Sequence, residues 1–183
     1  SELLECLIGN PNLLKARKEK YEVPLPTFRL DHINVHTHVQ KGFEGGRLHG
    51  GWNGTAGLYR YDNGVMYNGL TTVSFELFDT KPNNGGFACI PGSHKANVQL
   101  PEKWRDLSTG VNECIERVAA KPGDAIIFTE ALTHGTLPWE VDEKRTTVFY
   151  KFSPHALTWS ADFFNPDDFV GYEDMNRRKL ALL

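Results

Sequence analysis

The 183-residue chain carries little net charge: 20 lysines and arginines stand against 23 aspartates and glutamates, a formal −3. That balance supplies neither the basic surface of a nucleic-acid binder nor a polybasic membrane anchor, so neither partner is expected. No apolar run approaches the ~18 residues that a membrane span requires. The first ten residues lack the basic head and apolar stretch of a secretory leader. Cysteine is scarce, and Cys6, Cys89 and Cys114 form neither a CxxC pair nor an even set. They read as free thiols in a reducing compartment, which places the protein in the cytoplasm. There is no internal repeat.

What is present points to β structure. Hydrophobic residues make up 40% and aromatics 11%, enough for a packed core, and 17 glycines and 10 prolines punctuate the chain. After a helical stretch over 1–20, broken near Asn10-Pro11, the period changes to two. Across 28–39, Ile33, Val35 and Val39 fall on one side and His32, Asn34, His36 and His38 on the other, the pattern of a strand with one apolar and one polar face. Asp62-Asn63-Gly64 between two short runs signals a hairpin. Further strands are expected over 69–78, 87–90, 115–119, 125–129 and 145–152, with a short helical patch at 101–107 and a helical tail over 160–183. Seven or more short strands with glycine and proline turns, and no long helix between them, indicate one double-sheet barrel or sandwich domain over 1–183, its core near 28–153.

Three residues stand out together. His49 sits in Arg47-Leu48-His49-Gly50-Gly51, His134 in Thr129-Glu130-Ala131-Leu132-Thr133-His134-Gly135-Thr136, and Arg145 follows eleven residues later. Two neutral imidazoles far apart in sequence can meet on one metal inside a small barrel, with an arginine offering a bidentate fork to a carboxylate.

The words around them resemble the phytanoyl-CoA dioxygenase family. They are Thr71 to Asp79, then Asn84-Gly85-Gly86-Phe87-Ala88-Cys89-Ile90-Pro91-Gly92-Ser93-His94-Lys95, then Lys121-Pro122-Gly123-Asp124-Ala125-Ile126-Ile127-Phe128 running into His134-Gly135-Thr136 and Arg145. The resemblance spans about 29–153 in order. It implies a mainly β fold, a double-stranded β-helix or jelly roll with short flanking helices, that works as an iron(II)- and 2-oxoglutarate-dependent oxygenase on a small-molecule substrate. Carried over residue by residue, His49 and His134 become metal ligands, and Arg145 and Thr136 hold the far carboxylate of 2-oxoglutarate. Apart from the family motifs, Tyr59 and Asn68 flank the hairpin beside the expected cavity and are expected to touch substrate or cosubstrate. Relative to the family the chain has little sequence ahead of its first ligand, so a shortened N-terminus is expected.

One motif departs from the family. The pattern His-x-acid becomes His49-Gly50-Gly51, and glycine cannot ligate. Glu130 is the nearest replacement to His134, but residues i and i+4 of a regular strand stand about 13 Å apart, so a bend is required. Asp62 and Glu76 are the other candidate carboxylates. A second expectation resembles the iron-dependent halogenases, with chloride in the vacant position. A third is a jelly-roll binding protein without turnover. His36 and His38 compete with His49 for the first-ligand role.

Overall fold

The computed structural model describes residues 2–42, 45–50, 57–107, 111–159 and 163–183. Two antiparallel sheets face one another. The larger has the order β1 (Phe28–His38), β9 (Arg145–Pro154), β4 (Thr71–Glu76), β7 (Ala125–Thr129), and the smaller the order β6 (Glu116–Arg117), β5 (Gly86–Cys89), β8 (His134–Leu137). Sequence neighbours are seldom sheet neighbours, which is the wiring of a jelly roll. A separate hairpin joins β2 (Tyr59–Asp62) to β3 (Val65–Asn68). Its turn has positive φ at Asn63 (49°) and Gly64 (80°), which suits Asn-Gly.

The sheets meet through Phe128 on β7, whose ring lies 4.7 Å from Phe87 of β5 and 4.6 Å from His134 of β8. Phe87, Cys89 and Phe128 form that inner apolar cluster, with Val118, Ile126 and Leu132 against it. A second cluster, Leu48, Ala88, Leu107, Ile115 and Leu137, lies on the other side of the small sheet. Two short helices, α1 (Glu2–Ile8) and α2 (Pro11–Lys20), precede β1. Asn10 caps α2 by accepting from Leu13 N at 3.0 Å. Glu5 ties α1 to the sheet, accepting from the Thr27 amide and hydroxyl at 2.8 and 2.6 Å. Helices α3 (Glu102–Arg105) and α4 (Arg177–Leu180) are single turns. Among the described residues no helix is long and apolar enough to cross a membrane.

β8 escapes the sequence pattern. His134-Gly135-Thr136-Leu137 is too short for alternation to register, and Pro138 stops it. Its place comes from pairing with β5 and from a two-way bridge to His49.

Candidate metal centre

His49 and His134 meet backbone to backbone. Each amide donates to the other's carbonyl at 2.9 Å, and the rings lie 4.3 Å apart between centroids. Each imidazole is also oriented from behind. His134 Nδ1 bonds Leu132 O at 2.7 Å, and His49 Nδ1 bonds Arg47 O at 3.1 Å. A proton on Nδ1 leaves Nε2 with the lone pair that a metal needs. Gly50 makes the approach possible. It holds φ at +92°, and a Cβ there would run into Leu132 O and stand 2.7 Å from Glu130 O. His49 can lie against the 130–133 turn only because the next residue has no side chain.

That turn is the bend that Glu130 requires. β7 ends at Thr129, the Thr129 hydroxyl accepts from Ala131 N at 3.3 Å, and Leu132 N closes a turn onto Thr129 O at 2.9 Å. The chain then passes to the opposite sheet at His134. The i, i+4 separation collapses from the extended value to 3.6 Å between Glu130 Oε2 and His134 Nε2. His49, Glu130 and His134 each offer a ligand atom, and these atoms all lie within 4.8 Å of one another. Two imidazoles and one carboxylate with open positions is the donor set of non-haem iron(II).

Glu130 is held as firmly as the histidines. Its Oε1 accepts from the Thr72 hydroxyl at 2.6 Å and from Lys151 Nζ at 2.8 Å, so Oε2 is the atom left toward His134. Burial pushes the Glu130 carboxyl up, but His134, Lys151 and the Thr72 hydroxyl pull it down by more, and it lies below its ordinary value. Burial pushes the His134 imidazole down to about 4, against the upward pull of Glu130, so it is neutral near pH 7.

Arg145 lies at the start of β9, 1% exposed. Its Nη2 donates to Glu76 Oε1 at 3.2 Å, and Thr147 Oγ1 donates to Glu76 Oε2 at 2.7 Å. Arg145 Nε and Nη1 are buried without a hydrogen-bond partner among the described residues. Such donors call for an acceptor. Gly86 leaves room beside them, since a Cβ there would stand 3.2 Å from Arg145 Nε. A small carboxylate ligand fits this half-used guanidinium. Thr136 lies two residues beyond His134 on β8, on the same face, opposite Phe87.

Tyr59 and Asn68 line a cavity with Phe128, Thr129 and Leu132, against the turn that carries Glu130. The Asn68 amide donates to Leu7 O at 2.7 Å and fastens α1. The Tyr59 ring packs edge-on against His94 at 4.7 Å. Asp62 is exposed in the hairpin, and Glu76 belongs to Arg145. His36 and His38 lie on β1, outside the three-residue cluster. Gly51 lies outside the described residues. Sequence reasoning missed Gly50, Thr72 and Lys151. Period two along β9 puts Lys151 on the face of Arg145, Thr147 and Phe149, which was the available signal.

A model of the family described as phytanoyl-CoA dioxygenase (PhyH) matches residues 6–146. The dioxygenase lolE1 of Epichloe uncinata is 37% identical over 68 residues, which is 36% of this chain and 26% of lolE1. The fold matches HygX from Streptomyces hygroscopicus crystallised with nickel and 2-oxoglutarate, with a TM-score of 0.68 at 20% identity, covering 86% of this chain and 62% of HygX. HygX with nickel, 2-oxoglutarate and hygromycin B gives 0.67 at 21% identity over the same shares. The chain thus spans under two thirds of the length of these relatives.

Proposed function

The chain belongs to the phytanoyl-CoA dioxygenase family, and from that premise we propose an iron(II)- and 2-oxoglutarate-dependent oxygenase that hydroxylates a C–H bond of a small molecule. The observation that carries the reading is the convergence of His49, Glu130 and His134 despite the missing acid after His49. Bound there, iron(II) supplies activation of O₂, with 2-oxoglutarate converted to succinate and CO₂ as the substrate is oxidised.

The protein's part is placement and exclusion of water. His49 and His134 would turn Nε2 to the metal because backbone carbonyls hold Nδ1. Glu130 presents one oxygen, the other being occupied by Thr72 and Lys151. Arg145 would take the far carboxylate of 2-oxoglutarate on Nε and Nη1, with the Thr136 hydroxyl beside it. Phe87 and Phe128, both buried, wall His134 from solvent, whereas His49 stands on the exposed side of the centre. A carboxylate at the third position supports an oxygenase over a chloride-dependent reaction, in which that position is left to the halide.

The test is an anaerobic titration of iron(II) with 2-oxoglutarate, followed by the visible charge-transfer absorption of the chelate. The wild type should develop the band and Glu130→Ala should not. A full band in Glu130→Ala would remove Glu130 from the ligand set. No band in the wild type at saturating iron would remove the reading.

A further inference from the structure

β1 turns its polar row to the face that carries Lys151 and Arg145, with His38 buried, His32 half-buried and Asn34 and His36 exposed. His32, Asn34, His36 and His38 pair across the sheet with Lys151, Phe149, Thr147 and Arg145. Directly paired residues share a face, and Lys151 and Arg145 reach Glu130 and Glu76 between the sheets. The His38 ring stacks 6.3 Å from Trp139, which follows β8, and His36 lies 4.8 Å from Phe149. The apolar row is turned out instead, with Ile33 41% and Val35 60% exposed. Burial of apolar surface alone would favour the opposite arrangement. A row of hydrogen-bonding groups beside the metal centre is accounted for by a polar occupant of the inter-sheet space.

The charges narrow what that occupant is. Arg29 pairs with Asp31 at 2.7 Å, Lys151 with Glu130 at 2.8 Å and Arg145 with Glu76 at 3.2 Å. Among the described residues these pairs balance, and with the unpartnered Arg145 donors given to 2-oxoglutarate the wall offers no spare cation for a substrate phosphate and no spare anion for an ammonium group. His36 is lowered from its ordinary pKa by burial and by Arg145 and Lys151, which keeps it neutral.

One member of the row is oriented. The ladder slips between Leu30 and His32, so Asp31 is an extra, bulged residue. Its Oδ1 bonds His32 Nδ1 at 2.7 Å, while Oδ2 accepts from Arg29 Nη1 at 2.7 Å and from Trp159 N at 3.0 Å. The Asp31 carboxylate accepts from His32 Nδ1, which leaves Nε2 as the ring's remaining hydrogen-bonding atom. Asn34 and His36 each offer a donor and an acceptor. Alternate residues of a strand stand about 6.6–6.8 Å apart, so the row repeats hydrogen-bonding groups at a fixed interval.

We propose that His32, Asn34 and His36 are the substrate-reading wall of the site, and that the substrate is a neutral polyhydroxylated molecule of the sugar or cyclitol class. The inference rests on the oxygenase reading, which makes the neighbouring triad the reacting centre. His32, steadied by Asp31, accepts a hydrogen bond from one substrate hydroxyl, and Asn34 and His36 fix others. An acyl chain would cover the same groups without satisfying them, and the phosphates of a coenzyme A thioester would meet no spare cation.

Saturation-transfer NMR on the metal-free and the nickel-loaded protein tests it, with methyl glucoside, myo-inositol and trehalose as probes and octanoate and octanoyl-coenzyme A as counter-probes. At least one polyol should receive saturation, and the counter-probes none. Asn34→Leu and His32→Phe should each weaken that binding about tenfold, the loss of one good hydrogen bond, with nickel and 2-oxoglutarate affinities held within about twofold. Asn34 is exposed, so its variant tests the wall without threatening the fold. Saturation of the counter-probes alone, of no probe, or of polyols equally in wild type and variants would overturn the proposal. A wild type that takes neither nickel nor 2-oxoglutarate would overturn the oxygenase reading instead, and the polyol signal of the metal-free protein would still decide this one.

Discussion

Two carboxylates divide the work at this centre, and each can be tested by a single substitution. Glu130 offers an oxygen within 4.8 Å of a ring nitrogen of each histidine, so in the proposed centre Glu130→Ala removes a donor rather than a supporting contact. Its loss of iron affinity should exceed the ~10–100-fold that losing an outer-shell partner costs, while Thr72→Val should fall within that range. Equilibrium iron titration separates them. In the proposed reading Glu76 acts at the cosubstrate end. It shares the Arg145 guanidinium with any incoming carboxylate, and like charges in a buried site repel. Arg145→Leu should therefore weaken 2-oxoglutarate binding by about 2–5 kcal/mol, the scale of a broken buried charge pair. Glu76→Gln, which keeps the shape and removes the charge, should tighten it. Equal or weaker binding in Glu76→Gln would show that Glu76 serves only to aim Arg145.

At the level of elements, the centre is made where three pieces of chain touch: the 130–133 turn, the start of β8 and the segment ending at Gly50. His49, His134 and Arg145 were legible in the sequence because residue type and order carry them. Glu130 was legible only as a question, since strand spacing opposes it until a turn replaces the strand. Gly50 was not legible at all, because its role is a close approach to Leu132 and Glu130 that linear order does not contain. Gly50→Ala should separate His49 from the turn, with positive φ alone costing about 1–3 kcal/mol of stability. Iron binding should fall with it, whereas Gly42→Ala, also at positive φ but with nothing near its missing Cβ, should lose stability and keep iron. Urea unfolding and iron titration on the two variants make the comparison.

The whole molecule should be acid-sensitive through this site. The His134 imidazole has its pKa lowered from 6.5 to about 4 in the fold, mainly by burial. Between those values the unfolded chain binds the proton and the folded one does not, so stability rises with pH across that window. The contribution, on the order of 3 kcal/mol, is complete above pH 6.5 and disappears as the pH falls toward 4. Denaturant unfolding of the metal-free protein across that range should show the slope, and His134→Asn should make it shallower, the remainder coming from His36, His38, His94 and His155, which burial also lowers.

The strand-rich composition, the turn signals and the order of His49, His134 and Arg145 are properties of the linear chain, because period-two alternation and Gly/Pro punctuation act over a few residues. They were enough for a two-sheet fold and for two of the three proposed metal donors. Which face of β1 turns inward, which carboxylate stands beside the histidines and which cation holds it were decided only by tertiary structure. Each depends on contacts between residues far apart in the chain: His32 with Lys151, Lys151 with Glu130, and His49 with His134. No local pattern encodes such meetings, since they arise when two sheets close on each other and a turn carries the chain from one to the other.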